Sequence, residues 1–223
     1  MEGVLVGCDR NQEWLLPWWW GHYSQSNRHP VAFADFGLSE IALAWCKERG
    51  EVISVPEPPP LKEVSAQCKE AWEKAAGSGI WPMRQAWFKK PLACLRSPFP
   101  SSLWLDLDCE VKGSLDPLFR FLSFGIEIAL APDSKENVYN SGVIAFWRNA
   151  AILSQWIEQG NGEFMGDQDA LSQAISLHQP PLIKLPLIYN WRKDLGPNPN
   201  AVIVHYIGPW KIEILTKLDL YRS

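Results

Sequence analysis

Two carboxylates, Asp106 and Asp108, have the residue types and spacing that best fit a chemical site in this sequence. They follow the apolar run Leu-Trp-Leu at positions 103–105, which is typical of a strand buried in a sheet. Side chains two positions apart on a strand point the same way, so we expect both acids to converge on one point. Two neighbouring carboxylates repel each other unless a cation lies between them, and Mg²⁺ or Mn²⁺ prefers such oxygen ligands. The pattern therefore predicts a divalent metal site.

The Asp-x-Asp pair alone is compatible with three interpretations. Acids are common where a strand ends in a loop, so the pair can be ordinary surface structure. It also occurs in sugar-nucleotide transferases and in phosphatases of the haloacid dehalogenase type, whose first Asp is a nucleophile. The phosphatase motif is Asp-x-Asp-x-Thr near the start of a chain, whereas Glu110 occupies its fifth position here and about a hundred residues precede it. The phosphatase is therefore the weaker of the two enzyme alternatives.

The overall composition predicts one globular domain without a nucleic-acid partner. The chain has 223 residues, a net charge of −4 and a pI near 5.6, whereas nucleic-acid-binding domains carry a basic face. No apolar run approaches the ~18–20 residues that span a bilayer. The five cysteines lack C-x-x-C spacing, which is typical of reduced cysteines in a cytosolic protein. We therefore expect a cytoplasmic location and no membrane span.

Strand and helix patterns alternate along the chain. Apolar runs at 4–6, 29–34 and 51–55 predict strands, and Ser39 is a candidate N-cap of a helix that ends near Gly50. This alternation predicts an α/β fold with a mainly parallel central sheet flanked by helices. Ligands bind at the carboxyl edge of such sheets, and Asp9 and Asn11 lie in the loop after the first strand.

Tryptophan is unusually frequent, with 13 in the chain and three in succession at 18–20. Flat aromatic faces stack on sugar rings, so a carbohydrate ligand is one explanation. A tryptophan-rich core is the interpretation that we favour for most of them.

Four separated motifs occur in an order that resembles the GT-A type of glycosyltransferase, and they are most similar to glycosyltransferase family eight. They are Leu-Trp-Leu-Asp-Leu-Asp at 103–108, Tyr-Asn-Ser-Gly-Val at 139–143, Gly-Asp-Gln-Asp at 166–169, and His-x-x-Gly-x-x-Lys at 205–211. The resemblance extends through most of the chain. It implies a Rossmann-like GT-A fold in a single domain, 1–223, with a nucleotide-binding part at about 1–112 and a sugar and acceptor part at about 113–223.

The resemblance also implies a role for individual residues. Metal ligands for Mn²⁺ (or Mg²⁺) would be Asp106, Asp108 and His205. Asp167 and Gln168 would lie beneath the anomeric carbon of the donor sugar, although Asp167 also fits an ordinary helix start. The donor-binding residues would be Asp9, Asn11, Lys90, Asn140, Ser141, Gly142, Gly208 and Lys211. Lys89 is an alternative to Lys90.

The activity that the resemblance implies is the transfer of a hexose from a nucleoside diphosphate sugar to an unidentified acceptor, which is a sugar, a lipid or a protein. Retention at the anomeric carbon and a UDP-sugar donor are implied by the resemblance alone. The family offers an aromatic residue soon after the acid that follows the first strand, whereas Asp9 is followed by Arg-Asn-Gln-Glu-Trp. A non-catalytic protein that binds nucleotide sugars is the main alternative.

Overall fold

The computed structural model describes residues 1–76, 80–123, 125–133, 138–160, 162–163 and 166–220. The strands of this part of the chain are β1 (Glu2–Cys8), β2 (Val31–Asp35), β3 (Glu51–Ser54), β4 (Ser101–Leu105), β5 (Cys109–Val111), β6 (Ile128–Pro132), β7 (Tyr139–Trp147), β8 (Leu182–Lys184), β9 (Trp191–Arg192) and β10 (Ile203–His205). Its helices are α1 (Leu15–Ser26), α2 (Glu40–Lys47), α3 (Ala66–Ala76), α4 (Ile80–Trp87), α5 (Lys89–Leu95), α6 (Asp116–Arg120), α7 (Ala151–Gln159), α8 (Asp167–His178) and α9 (Lys211–Leu220).

Seven strands form a central sheet in the order β3-β2-β1-β4-β7-β6-β8. The pairs β1–β2, β2–β3, β1–β4 and β6–β8 are parallel, and β7 is antiparallel to both β4 and β6. This confirms the predicted α/β architecture with a mainly parallel sheet. The three strands predicted from the apolar runs at 4–6, 29–34 and 51–55 are β1, β2 and β3.

The sheet is buried on both faces, which explains why its strands are continuous apolar runs. Along β1, Val4 and Val6 belong to one core cluster and Leu5 to the other. Side chains of α1 and α6 pack in the first cluster, and side chains of α5, α7 and α8 pack in the second. This packing on both faces therefore fixes the position and orientation of β4 in the sheet. The carboxyl end of β4 leads into the acidic pair.

The consecutive tryptophans lie on α1 and belong mainly to the core. Trp18 and Trp19 are buried, and the ring of Trp19 stacks on Tyr23 at a centroid distance of 4.8 Å. Trp20 packs edge-on against Trp45. The core interpretation is therefore correct for this run.

A second, three-stranded sheet has the order β5-β10-β9 and lies beyond the carboxyl end of β4. Strand β5 begins one turn after β4, and it pairs with β10 so that His205 lies opposite Cys109. His205 therefore lies on the small sheet and not on the central one, and the turn between β4 and β5 places the small sheet beside the carboxyl edge of the central sheet.

No helix in the described part of the chain is both long enough and apolar enough to cross a membrane.

Candidate functional site

The two acids lie on a tight turn between β4 and β5. The backbone N–H of Cys109 donates to the carbonyl of Asp106 at 3.0 Å, and the N–H of Asp106 donates to the carbonyl of Gly142 at 2.8 Å. Our expectation that the strand continues through both acids is wrong, because the chain turns after Leu105. The turn nevertheless directs both carboxylates toward the same histidine.

His205 lies between the two carboxylates and is buried, with 3% of its surface exposed. Its Nε2 atom is 3.2 Å from Asp108 Oδ1 and 3.9 Å from Asp106 Oδ2. A small divalent cation at about 2.1 Å from its ligands keeps neighbouring ligand atoms about 3 Å apart in octahedral geometry. The first distance matches this separation, and the second exceeds it by about 1 Å. The two carboxylates and the imidazole thus fit the predicted set of metal ligands.

Cys109 is close to this group but does not fit a hard cation. Ligand atoms of Asp108, Cys109 and His205 lie within 4.8 Å of one another. The thiol donates to the carbonyl of Gly142, and burial raises the pKa of Cys109 well above its usual value. Mg²⁺ and Mn²⁺ favour oxygen and imidazole ligands over a thiol, so we assign Cys109 to the packing of the turn.

Lys211 reaches the same acidic pair from the start of α9. Its Nζ lies 3.0 Å from Asp108 Oδ2. Burial by itself raises the pKa of Asp108, but Lys211 and His205 outweigh it and hold that pKa well below the usual range. Gly208 precedes the helix with φ of +59°, a left-handed conformation in which other residues are strained. The last residue of the predicted motif His205-x-x-Gly208-x-x-Lys211 therefore forms an ion pair with Asp108.

Lys90 is a buried cation on the other side of the pair. Its Nζ lies 2.9 Å from Asp106 Oδ1 and 3.0 Å from Asp167 Oδ2, and it donates to the carbonyl and hydroxyl oxygens of Ser141. Burial lowers the pKa of Lys90, but Asp106 and Asp167 outweigh it and raise that pKa above its ordinary value. Lys89 instead donates to Glu57 at 2.6 Å and to the carbonyl of Phe36 at 3.1 Å. Of the two lysines, Lys90 is the one at the acidic pair.

The Asn-Ser-Gly motif is part of the buried strand β7 and not of a turn. Asn140 accepts a hydrogen bond on Oδ1 from the N–H of Gly142 at 2.9 Å. A Cβ atom on Gly142 would lie 2.1 Å from Cε1 of His205. Glycine is therefore required at this position because the imidazole ring packs directly on the backbone.

Asp167 and Gln168 begin α8 and lie beside β7. The carbonyl of Asp167 accepts from Trp156 Nε1 at 2.7 Å, which holds the helix start against α7. The Gln168 amide donates from Nε2 to Asp133 Oδ2 at 2.8 Å and accepts on Oε1 from the N–H of Ser141 at 3.4 Å. Asp133 also pairs with Arg192 on β9. The structure thus brings both predicted residues to the site, where Lys90 joins Asp167 to Asp106.

Asp9 and Asn11 follow β1, which is the parallel neighbour of β4. Both therefore lie at the sheet edge that carries the acidic pair. The carboxylate of Asp9 accepts from the N–H of Asn11 at 3.0 Å and from its Nδ2 at 3.1 Å. Their role in binding a donor stays a prediction.

Two contributors to the site were not identified from the sequence. Trp104 Nε1 donates to Asp106 Oδ1 at 2.7 Å, so the strand that leads into the acids also orients one of them. Asn190 lies between Asn140 and His205 and bonds to both. Neither belongs to a recognisable motif, and only the spacing of Trp104, two residues before Asp106, offered a local signal.

Solved structures of glycosyltransferases have a similar fold, although no family model and no curated protein matches the sequence. GlyE of Streptococcus pneumoniae TIGR4 superposes with a TM-score of 0.67 and 18% identity over 94% of this chain and 56% of its own. The galactosyltransferase LgtC, in complex with donor and acceptor sugar analogues, superposes with a TM-score of 0.61 and 16% identity over 98% of this chain and 95% of its own. For mouse xyloside xylosyltransferase 1 the TM-score is 0.57 and the identity 15%, over 92% of this chain and 97% of its own.

The chain thus spans little more than half of GlyE but nearly all of LgtC and of the xylosyltransferase. Each likeness extends over more than nine-tenths of this chain. The protein has the GT-A glycosyltransferase fold.

Proposed function

We propose that this protein is a metal-dependent glycosyltransferase that transfers a hexose from a nucleoside diphosphate sugar, with UDP as the expected nucleotide, to an acceptor. The observation that carries the proposal is the convergence of Asp106, Asp108, His205 and Lys211 on one point. This point lies at the carboxyl edge of a GT-A sheet, where ligands of open α/β sheets bind. The division into parts at about 1–112 and 113–223 and the cytoplasmic location remain predictions.

The ligand set defines what a bound cation would contribute. Asp106, Asp108 and His205 would hold Mn²⁺ or Mg²⁺, which as a Lewis acid would stabilise the charge that develops on the leaving diphosphate. Lys211 adds a positive charge, and its ammonium group can exchange Asp108 for a phosphate oxygen as its ion-pair partner. Gly208, in its left-handed conformation, turns the backbone so that α9 begins at this point.

The sugar side of the site is formed by β7 and the start of α8. The amide of Gln168 is held at both ends, by Asp133 and by the N–H of Ser141, so its orientation is fixed before any sugar binds. Asp167 pairs with Lys90 at 3.0 Å, and its carboxylate would lie where an oxocarbenium-like transition state develops positive charge. Retention at the anomeric carbon is part of the proposal because of the resemblance to family eight.

The alternatives make different predictions. A phosphatase of the haloacid dehalogenase type needs a free nucleophilic Asp, whereas Asp106 is engaged by Lys90 and Trp104. It would form an aspartyl phosphate and would have no use for His205. A non-catalytic binding protein would bind a nucleotide sugar with Mn²⁺ and leave it intact.

The test is hydrolysis of a panel of UDP-sugars in the presence of Mn²⁺, because water can replace an unknown acceptor. Asp106→Asn and Asp108→Asn each remove a negative ligand and should lower the rate roughly a thousandfold or more. The matched control is Asp116→Asn, which changes an exposed acid paired with His29. This control should leave the hydrolysis rate unchanged. Gln168→Ala should lower turnover while Mn²⁺ affinity stays unchanged. Near-normal rates in both aspartate variants would refute the metal assignment, and binding without any hydrolysis would favour the non-catalytic alternative.

A further inference from the structure

A chain of buried hydrogen bonds joins the backbone of β7 to the imidazole of His205. The N–H of Gly142 donates to Asn140 Oδ1 at 2.9 Å, and Asn190 Nδ2 donates to the same oxygen at 2.8 Å. The other end of the Asn190 amide, Oδ1, lies 3.0 Å from Nδ1 of His205. Asn140, Asn190 and His205 are at most 5% exposed, so water does not compete for these bonds.

The donor and acceptor of each of these hydrogen bonds follow from the first bond, which Gly142 donates to Asn140. A backbone N–H can only donate, so the atom of Asn140 that faces Gly142 is the oxygen. An oxygen can only accept, so the atom of Asn190 that faces it is the NH₂ group. The remaining atom of Asn190 is then an oxygen, and Nδ1 of His205 must carry a proton to bond to it.

The tautomer decides whether His205 can serve as a ligand. A neutral imidazole has one N–H, and with the proton on Nδ1 the lone pair is on Nε2. Nε2 is the atom that lies 3.2 Å from Asp108 and 3.9 Å from Asp106. Histidines that bind metals generally donate their second ring N–H to a nearby acceptor, which fixes both the ring and the tautomer.

We propose that Asn190 is a positioning residue that holds His205 in the Nδ1–H tautomer and so directs the Nε2 lone pair at the cation. The inference rests on the proposed metal site. It adds a function for a side chain that lies 15 positions before His205 in sequence and outside every motif. The contact between the ring and Gly142 fixes the plane of the imidazole, and the bond to Asn190 fixes which nitrogen faces the acids.

The first test measures the tautomer in the wild-type, metal-free protein. Protein labelled with ¹⁵N-histidine is examined by long-range ¹H–¹⁵N correlation, which reports whether each ring nitrogen carries a proton. The His205 signals are assigned by their loss in His205→Ala, and the other three histidines serve as internal references. A proton on Nδ1 supports the proposal. An Nδ1 atom without a proton overturns it, whatever the variants do.

The second test compares Asn190→Asp with Asn190→Leu by titration with Mn²⁺ alone, followed through the paramagnetic resonance signal of free Mn²⁺. Asn190→Leu removes the acceptor and should weaken Mn²⁺ binding about 10- to 100-fold. Asn190→Asp keeps an oxygen for Nδ1–H but places a second oxygen against Asn140. It should therefore lower thermal stability and retain Mn²⁺ affinity within a few-fold of wild type.

A merely structural Asn190 would give the opposite pattern. Mn²⁺ affinity would then follow melting temperature in both variants, and the aspartate would not rescue binding. The tautomer measurement requires neither cation nor donor. An Nδ1 atom without a proton would therefore leave the transferase proposal intact. A proton on Nδ1 in a protein that does not bind Mn²⁺ would refute the metal site and not the chain of hydrogen bonds.

Discussion

Replacing Lys90 by Met removes the buried cation that lies between two carboxylates of the site. Methionine keeps most of the apolar stem, so the change is mainly the loss of one positive charge. Asp167 is buried and the side chain of Asp106 is about one-quarter exposed, with its carboxylate 2.9 Å from the ammonium group. Without Lys90, both acids lose their ion pair, and Asp106 keeps the hydrogen bond from Trp104 Nε1.

The expected cost follows from this burial. Removing one partner of a buried ion pair costs about 3–5 kcal/mol, because the remaining charge is neither solvated nor paired. For a chain of this size, each kcal/mol lowers the melting temperature by about 2–4 °C, so Lys90→Met should melt about 6–20 °C below wild type. A typical folded domain has about 5–15 kcal/mol of stability, and the variant should therefore remain folded at room temperature.

Lys89→Met is the matched control one residue earlier on α5. Lys89 is also largely buried, but its carboxylate partner Glu57 is 67% exposed and is solvated when the lysine is lost. An ion pair with one exposed partner contributes about 0–1 kcal/mol. The control should therefore lose much less stability than Lys90→Met, and the difference isolates the charge left buried.

The measurement is urea unfolding of the wild type and of both variants at pH 7.5. The raised pKa of Lys90 keeps the lysine charged at this pH, so the wild type has the full ion pair. Equal losses of stability in the two lysine variants would refute the assigned role.

Two further changes test other contacts. Gly142→Ala places a Cβ 2.1 Å from a ring carbon of His205, so we expect about 1–3 kcal/mol of destabilisation and weaker Mn²⁺ binding. An unchanged melting temperature would contradict the packing of the imidazole on Gly142. Lys211→Met removes a cation that competes for Asp108, in a pair worth about 1 kcal/mol because the lysine side chain is one-third exposed. Mn²⁺ titrated alone should therefore bind about fivefold more tightly, while donor hydrolysis falls; a lower affinity for Mn²⁺ alone would refute the competition.

Local patterns were sufficient to predict β4 and the acids that follow it. A short run of bulky apolar residues can only be buried, and the first charged side chain after it must lie at the edge of the sheet. The same logic places Ser39, whose hydroxyl accepts from the N–H of Ala42 at 3.2 Å, at the start of α2. These features depend on neighbours in the sequence, which is why a single sequence was enough.

The contacts that orient the ligands depend on residues far apart in the chain. Lys89 and Lys90 point in directions about 100° apart on a helix, and only the packing of α5 decides which one faces Asp106. Asn190 is 50 residues from Asn140, and its partners are set by the pairing of β10 with β9 beside β7. The turn after Leu105 could not be predicted because its bond to Gly142 joins two strands that are distant in sequence.

The two lysines of the site differ in whether their position can change. Lys90 is enclosed by Asp106, Asp167 and Ser141, and its side chain is only 7% exposed, so these contacts hold its charge in place. Lys211 is one-third exposed at the start of a helix and bonds to a single carboxylate, Asp108. A diphosphate that attracts Lys211 would release Asp108 for the cation, and a cation on Asp108 would in turn release Lys211 for the diphosphate. Binding of the cation and of the diphosphate should therefore be mutually reinforcing, because the ammonium group of Lys211 cannot neutralise Asp108 and the diphosphate at once.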